Sequence, residues 1–125
     1  YVSESLYQYL GVGGEYYDTG KSLFALGVNI DFIGEAFLND RLRATVQLID
    51  ASDKCLHHFS CLYRESTGQL VATNEVLVIH MNMETRRPES FPENIQKSIS
   101  ELYRAHIELE IPEKAGRMLK IRRNK

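Results

Sequence analysis

Several short stretches of the sequence carry residue types that do chemistry. Thr19-Gly20-Lys21-Ser22 has the Gly-Lys-Ser ending of a loop whose backbone N–H groups and lysine cradle a polyphosphate. That loop needs a glycine, four further residues and then Gly-Lys-Ser/Thr. Here Glu15 stands where the glycine should be, and Gly14 lies one residue too early. The surrounding pattern is also reversed, with a helical stretch before the segment and a strand-like one after it. The tetrad therefore does not read as a nucleotide site. Gly11-Val12-Gly13-Gly14 lacks the third spaced glycine and the preceding strand of a dinucleotide fingerprint, and no Gly-x-Ser-x-Gly elbow is present. Cys55, His57 and Cys61 would share one face of a strand with Phe59 between them, and His80 could approach from the next strand. Zinc accepts such donors, but neither Cys-x-x-Cys nor His-Glu-x-x-His spacing occurs. A semi-buried strand face with hydrogen-bonded histidines, and no metal, is the expectation.

The elements that must position these groups follow from hydrophobic periodicity. Val2, Leu6 and Leu10 fall at i, i+4 and i+8, one stripe of a helix, and Gly11 follows as its cap. No capping residue precedes this helix, so it is expected to begin upstream of Tyr1. Val12 to Ser22 reads as a loop. From Leu23 to Ile33 the alternation predicts a strand whose Phe24, Leu26, Val28, Ile30 and Phe32 share one buried face. Further strands are predicted over 41–49, with Leu42, Ala44, Val46 and Leu48 inward, over 54–64, and over 69–81. The last is apolar on both faces in its second half and so central. Ser90-Phe91-Pro92-Glu93 has the form of a capping box. Behind it, Ile95, Ile99, Leu102, Tyr103 and His106 mark one face of a helix ending near Leu109. Residues 117–121 could add a short last strand. The order is helix, antiparallel strands, helix, without βαβ alternation or repeat, which gives an α+β class with a helix packed on an antiparallel sheet.

Composition excludes several function classes. The chain has 125 residues, 43% hydrophobic and 26% charged, the mix of one globular domain spanning 1–125. Fifteen Lys and Arg against seventeen Asp and Glu give a net charge of −2, without the basic excess expected of a nucleic-acid module. No apolar run is longer than the four residues of Val76-Leu77-Val78-Ile79, far short of the ~18 residues that a membrane span needs. Six bases and no acid lie between Lys114 and Lys125, which reads as a solvated tail or an anion site. Cys55 and Cys61 stand six residues apart in one strand, ~20 Å, so they cannot pair with each other. They read as reduced thiols of a cytoplasmic protein. Seven tyrosines and no tryptophan, with Tyr1, Tyr7, Tyr9, Tyr16 and Tyr17 near the start, suit either an oligomer interface or the lining of a ligand tunnel.

In its motifs and their order the sequence resembles hotdog-fold thioesterases of the 4-hydroxybenzoyl-CoA thioesterase-like group. It is most similar there to the betainyl-CoA thioesterases of carnitine breakdown. Tyr1 to Gly11 resembles the end of the family's central helix, and Ser22 to Ala36 its second strand with the following turn. Asp53-Lys54-Cys55-Leu56-His57-His58-Phe59 resembles a "D-x-K-R-L-H-x-F/Y-H" stretch. Leu70 to Glu75 and Leu77 to Met81 resemble "L-x-A-T-x-E-x-M-L-L-H-V-D", and Pro112, Ala115, Gly116 and Arg117 a closing "P-x-x-x-G-R". The resemblance implies an antiparallel sheet wrapped around a central helix, with the first strand and the catalytic loop expected before Tyr1.

It also implies an acyl-CoA thioester hydrolase acting on a small acyl-CoA, with coenzyme A as part of the substrate and no separate cofactor. A carboxylate would activate water or attack the carbonyl, and backbone N–H groups at a helix start would hold the oxyanion. Glu4 is the comparable acid within this chain, and Asn29 stands where the family carries histidine. Lys54, Arg86 and Arg87 are the expected contacts to coenzyme A phosphates. A cytoplasmic homodimer is implied, with the strand from Leu23 to Ile33 paired to its symmetry mate. The rival reading is a non-catalytic hotdog domain that binds acyl-CoA or a protein partner.

Overall fold

The structure, a computed structural model, describes residues 2–110 and residue 121. The expected last strand and the Pro112–Arg117 motif lie outside the described residues. In chain order the elements are α1 (Val2–Leu10), a 3₁₀ turn (Gly14–Thr19), β1 (Lys21–Phe32), β2 (Leu42–Ala51), β3 (Cys55–Arg64), β4 (Leu70–Asn82), the two-residue β5 (Arg87–Pro88) and α2 (Glu93–His106). The strands form one antiparallel sheet in the order β1-β4-β3-β2, with β5 pairing with the end of β4. β4 is central, as its two-sided apolar character predicts.

The register sorts the sheet into rows. On the face that meets the helices, Ala51, Leu56, Val78 and Ala25 make one row. Leu48, His58, Val76 and Val28 make the next, then Val46, Ser60, Asn74 and Ile30, then Ala44, Leu62, Ala72 and Phe32. Leu6, Tyr7 and Leu10 of α1 and Ile95 and Ile99 of α2 join Leu48, Leu56, Val76, Val78 and Phe91 in a single core. Fully burying a side chain of this size contributes about 1.5–3 kcal/mol. The α2 face is the one its spacing predicts: Leu102 and Tyr103 pack against the core, and His106 Nδ1 accepts the Leu48 N–H at 2.9 Å.

Three expectations are corrected. The register shifts between Ala25 and Gly27, so β1 does not keep one apolar face. Phe24 lies opposite Ile79 on the outer face, whereas Val28, Ile30 and Phe32 lie in the helix-side rows. A bulge adds one residue and inverts everything beyond it. Nor is the β1 apolar set buried: Phe32 is 84% exposed, and Leu26, Val28 and Ile30 are exposed as well. On β2, Leu48 is buried and Val46 half-buried, but Leu42 and Ala44 are exposed. Finally, Ser90 does not cap α2. Pro92 takes the cap position without a side-chain bond, and the Ser90 hydroxyl donates to Asp53 Oδ2 at 2.9 Å.

Two local devices hold the ends of elements. The 34–41 connection closes when Asp40 Oδ2 accepts the Phe37 N–H at 2.6 Å and Arg64 Nε at 3.0 Å. These bonds, the Phe37 N–H first and the Arg64 guanidinium second, hold the Asp40 carboxyl below its ordinary range. The result is a firm turn that presents Leu38, 93% exposed. At the end of α1, Val12 N–H bonds to Tyr7 C=O at 2.9 Å and Gly11 N–H to Gln8 C=O at 3.1 Å. This is a Schellman cap, with Gly11 in the left-handed region at φ 87°. A side chain there costs about 1–2 kcal/mol in the backbone alone, and a Cβ would stand 3.0 Å from Ile95 Cδ1. Gly11→Ala is therefore expected to lower unfolding stability by at least about 1 kcal/mol in urea titration; an unchanged midpoint would show that this cap does not set the α1 geometry.

Candidate active site

Three polar side chains interrupt the apolar helix-side rows. Leucine, valine and isoleucine surround His58, Ser60 and Asn74, which occupy neighbouring positions on β3 and β4. His58 is fully buried, and the Tyr7 hydroxyl of α1 meets its Nε2 at 2.9 Å with the rings edge to face. Burial, and secondarily the neighbouring charge of His57, pushes the His58 pKa down to about 4. The ring is thus neutral at physiological pH. Among the described residues, these four rows hold no carboxylate.

The other face of the sheet carries a different pair. His57 Nε2 lies 2.7 Å from Glu75 Oε2, both side chains being at most 3% exposed. Phe59 and Asn29 flank Glu75 in the same row. Asn29 is therefore on the face away from α1, the helix that carries Glu4. The structure does not bring these two expected site residues together; the Glu4 side chain is outside what is described.

Lys54, Arg86 and Arg87 do gather at one end of the sheet. Lys54 immediately precedes β3, and its carbonyl accepts the His80 N–H at 2.7 Å. Arg87 pairs with Asn82 at the end of β4. Arg86 occupies the left-handed region at φ 59° in the turn between them, its N–H bonded to Asn82 C=O at 2.8 Å. Lys21 is at the same end but is already engaged, its Nζ 2.7 Å from Glu89 Oε2. Bonds from Lys21 and then Asn82 lower the Glu89 pKa.

The cysteine–histidine set divides. Cys55, His57, Phe59 and Cys61 share the outer face as their spacing implies, and neither cysteine is in a disulfide. His80 lies on the helix side, opposite Leu23. Its Nδ1–H donates to Glu89 C=O at 2.7 Å, its Nε2 meets the Tyr16 hydroxyl at 2.6 Å, and its ring stacks on Phe91 at 4.6 Å. The Tyr16 pKa is raised by burial first and by Glu89 second. Sequence reasoning missed both Tyr–His bonds, because partners 51 and 64 residues apart leave no local pattern. Among the described residues, no group of three or more His, Cys, Asp and Glu is placed to hold a metal, and no helix is long and apolar enough to cross a membrane.

A curled antiparallel sheet closed over a helix is the hotdog architecture. Residues 1–99 match the thioesterase-like superfamily, and the chain belongs to that family. It is 28% identical over 120 residues to the betainyl-CoA thioesterase of Pseudomonas aeruginosa, covering 95% of this chain and 76% of that protein. It is 27% identical over 116 residues to the L-carnitine dehydrogenase/betainyl-CoA thioesterase of Rhizobium meliloti. That match covers 93% of this chain but spans only 23% of the relative's length. Among solved structures, a hypothetical protein from Staphylococcus aureus in complex with CoA superposes with a TM-score of 0.80 at 30% identity, covering 93% of this chain and 73% of that one.

His58 also makes stability depend on pH. The unfolded chain takes up a proton near 6.5, the folded one only near 4. Between these values the unfolded state binds more protons, so stability rises with pH and levels off above 6.5. The full effect is roughly 3 kcal/mol. His106, lowered by burial too, tilts the profile the same way. The urea midpoint is expected to fall from pH 7 to pH 5, and His58→Gln to flatten part of that slope. A slope identical in the variant would mean that His58 is not the buried neutral group described.

Proposed function

We propose that the protein hydrolyses the thioester of a small acyl-CoA. The observation that carries this reading is the superposition, over nearly the whole chain, on a relative in complex with CoA. Water adds to the thioester carbonyl as a carboxylate takes its proton. The tetrahedral oxyanion is held by backbone N–H groups at a helix start. Collapse then breaks the C–S bond, leaving the free acid and the coenzyme A thiol. Glu4 is the candidate carboxylate in this chain. Asn29, on the opposite face, could act only across a subunit boundary. Lys54, Arg86 and Arg87 offer their charges to the phosphates, in keeping with their grouping at one sheet end. Betainyl-CoA is the first acyl group to test, because the curated relatives carry that name.

The protein would act as a cytoplasmic homodimer. Among the described residues β1 is an edge strand paired with β4 alone, and its other backbone edge can pair with a second copy about a two-fold axis. One observation favours a second reading, a non-catalytic domain that only binds acyl-CoA: the described helix-side rows contain no carboxylate.

Release of free thiol from betainyl-CoA and short acyl-CoAs separates the two readings. Turnover by the wild type is expected. Glu4→Gln should reduce kcat by about 10²–10⁴-fold if Glu4 is the base. Arg86→Ala with Arg87→Ala should raise KM and weaken its dependence on salt, with kcat little changed. Binding of acyl-CoA without turnover would establish the non-catalytic reading; a loss below about threefold in Glu4→Gln would remove that residue from the mechanism.

A further inference from the structure

A cleft of about 200 Å³ lies between the β2–β3 turn and α2. Ser52 and Asp53 line it from the turn, and Gln96, Ile99, Ser100 and Tyr103 from the helix. Along α2 it meets a shallower trough that shares Gln96 and Ser100 with it and reaches Lys97. Whole small-molecule sites enclose about 300–1,000 Å³. The inner cleft is smaller, the size for one ring system of a larger ligand. Its turn is held firmly: Ser52 N–H bonds to Cys55 C=O at 3.0 Å, and Asp53 C=O accepts the Phe91 N–H at 2.8 Å.

The bonds already made decide what each wall group has left for a ligand. Ser52 Oγ accepts the N–H groups of Cys55 at 3.0 Å and Lys54 at 3.3 Å, so its own hydrogen remains to be donated. Asp53 Oδ2 accepts the Ser90 hydroxyl, and Oδ1 carries no bond among the described residues. Gln96 Nε2 donates to Phe91 C=O at 2.8 Å. A carbonyl can only accept, which fixes the amide and leaves Gln96 Oε1 as an acceptor. The inner cleft thus offers two acceptors, a hydroxyl donor, the ring of Tyr103 and the apolar side chain of Ile99, with no cation in its lining.

We propose that this cleft is an adenine subsite, which takes the base of the coenzyme A portion of the substrate. The edge of an adenine ring sets an amino donor beside a ring-nitrogen acceptor. Asp53 and Gln96 accept from the amino group, Ser52 donates to the ring nitrogen, and the flat apolar faces lie against Ile99 and Tyr103. A phosphate finds only the like charge of Asp53 inside the cleft. The charges suited to phosphate stand just outside it: Lys54 follows Asp53 directly, and Arg86 and Arg87 gather at the same end of the sheet. A site built to hydrogen-bond a ligand's N–H discriminates strongly against the analogue without it, because its own polar atoms are then left unpaired. The inference rests on the acyl-CoA reading above. A free adenine nucleotide carries the same ring, and the test separates the two sources.

The test measures binding by calorimetry for butyryl-CoA, its 1,N6-etheno analogue, the butyryl thioester of 4′-phosphopantetheine, and ATP. The etheno bridge ties the amino nitrogen into a third ring, so it can no longer donate; the phosphopantetheine thioester has no base at all. The proteins are the full-length wild type, Asp53→Asn and Ser100→Phe. Asp53→Asn keeps an oxygen for the Ser90 hydroxyl and removes the carboxylate, and Ser100→Phe fills the cleft from an exposed helix position. The wild type is expected to bind butyryl-CoA about tenfold or more tighter than the etheno analogue, a size in keeping with one base held against one aromatic ring. Both variants should shrink that ratio to within about threefold of one, and Ser100→Phe should weaken butyryl-CoA at least about tenfold more than it weakens the phosphopantetheine thioester. Equal binding of butyryl-CoA and its etheno analogue by the wild type would overturn the subsite and leave the acyl-CoA reading intact. So would a preference that survives in both variants, or an equal loss for all three thioesters with a fall in Tm, the mark of a damaged fold. ATP binding that Ser100→Phe abolishes, with butyryl-CoA indifferent to the same change, would overturn the assignment to coenzyme A in favour of a free nucleotide. Failure of every thioester to bind would overturn the acyl-CoA reading, and this inference with it.

Discussion

Everything in this structure depends on how the helix-side face of the sheet is kept from water. Four rows of side chains run across β1, β4, β3 and β2, and α1 and α2 close over the first two of them. Leu56 and Val78, then Leu48 and Val76, are buried against Leu6, Leu10, Ile95 and Ile99. The rows beyond lose this cover progressively, ending in exposed Ala44 and Phe32. The Schellman turn at Gly11, the Tyr16–His80 bond and the His106–Leu48 bond all act at the covered end. They fix where the helices sit, and thereby where the cover stops.

Buried polar groups gather at that boundary, and three basic residues at the other end of the sheet. His58, Ser60 and Asn74 lie where packed core gives way to bare apolar surface. Lys54, Arg86 and Arg87 lie at the opposite end, beyond Leu56 and Val78, the two arginines at the β4–β5 turn and Lys54 just before β3. The buried His57–Glu75 pair belongs to neither region, since it is on the outer face.

Much of the fold was legible in the sequence, for physical reasons that can be named. Strand periodicity placed β2, β3 and β4 to within a residue or two, because each has packed neighbours that reward alternation. The α2 face was legible from Ile95 and Ile99 for the same reason. β1 misled because a bulge is invisible to an alternation count, and because an apolar strand at a sheet edge need not be covered by its own chain. The cap of α2 misled because Asp53, 37 residues away in sequence, competes for the Ser90 hydroxyl. The site was less legible still. In the sequence Lys54, Arg86 and Arg87 are legible only as bases suited to coenzyme A phosphates, and the sheet brings them to one end. The Ser60–Asn74 pair left no signal, since it exists only once β3 and β4 are in register.

The edge of β1 is where the account is most exposed. Among the described residues its edge away from β4 has no strand beside it, and exposed Leu26 and Phe32 lie along the same strand, a combination that invites pairing. The proposed two-fold pairing would satisfy the backbone groups along that edge and join two sheets into one. Hydrogen exchange of the β1 amides, read with sedimentation of the full-length chain at the same concentrations, tests this directly. The expected result is a particle of twice the chain mass in which the β1 amides that do not face β4 exchange slowly, and exchange faster on dilution. A monomer at micromolar concentration whose outward β1 amides exchange as fast as those of a loop would contradict it.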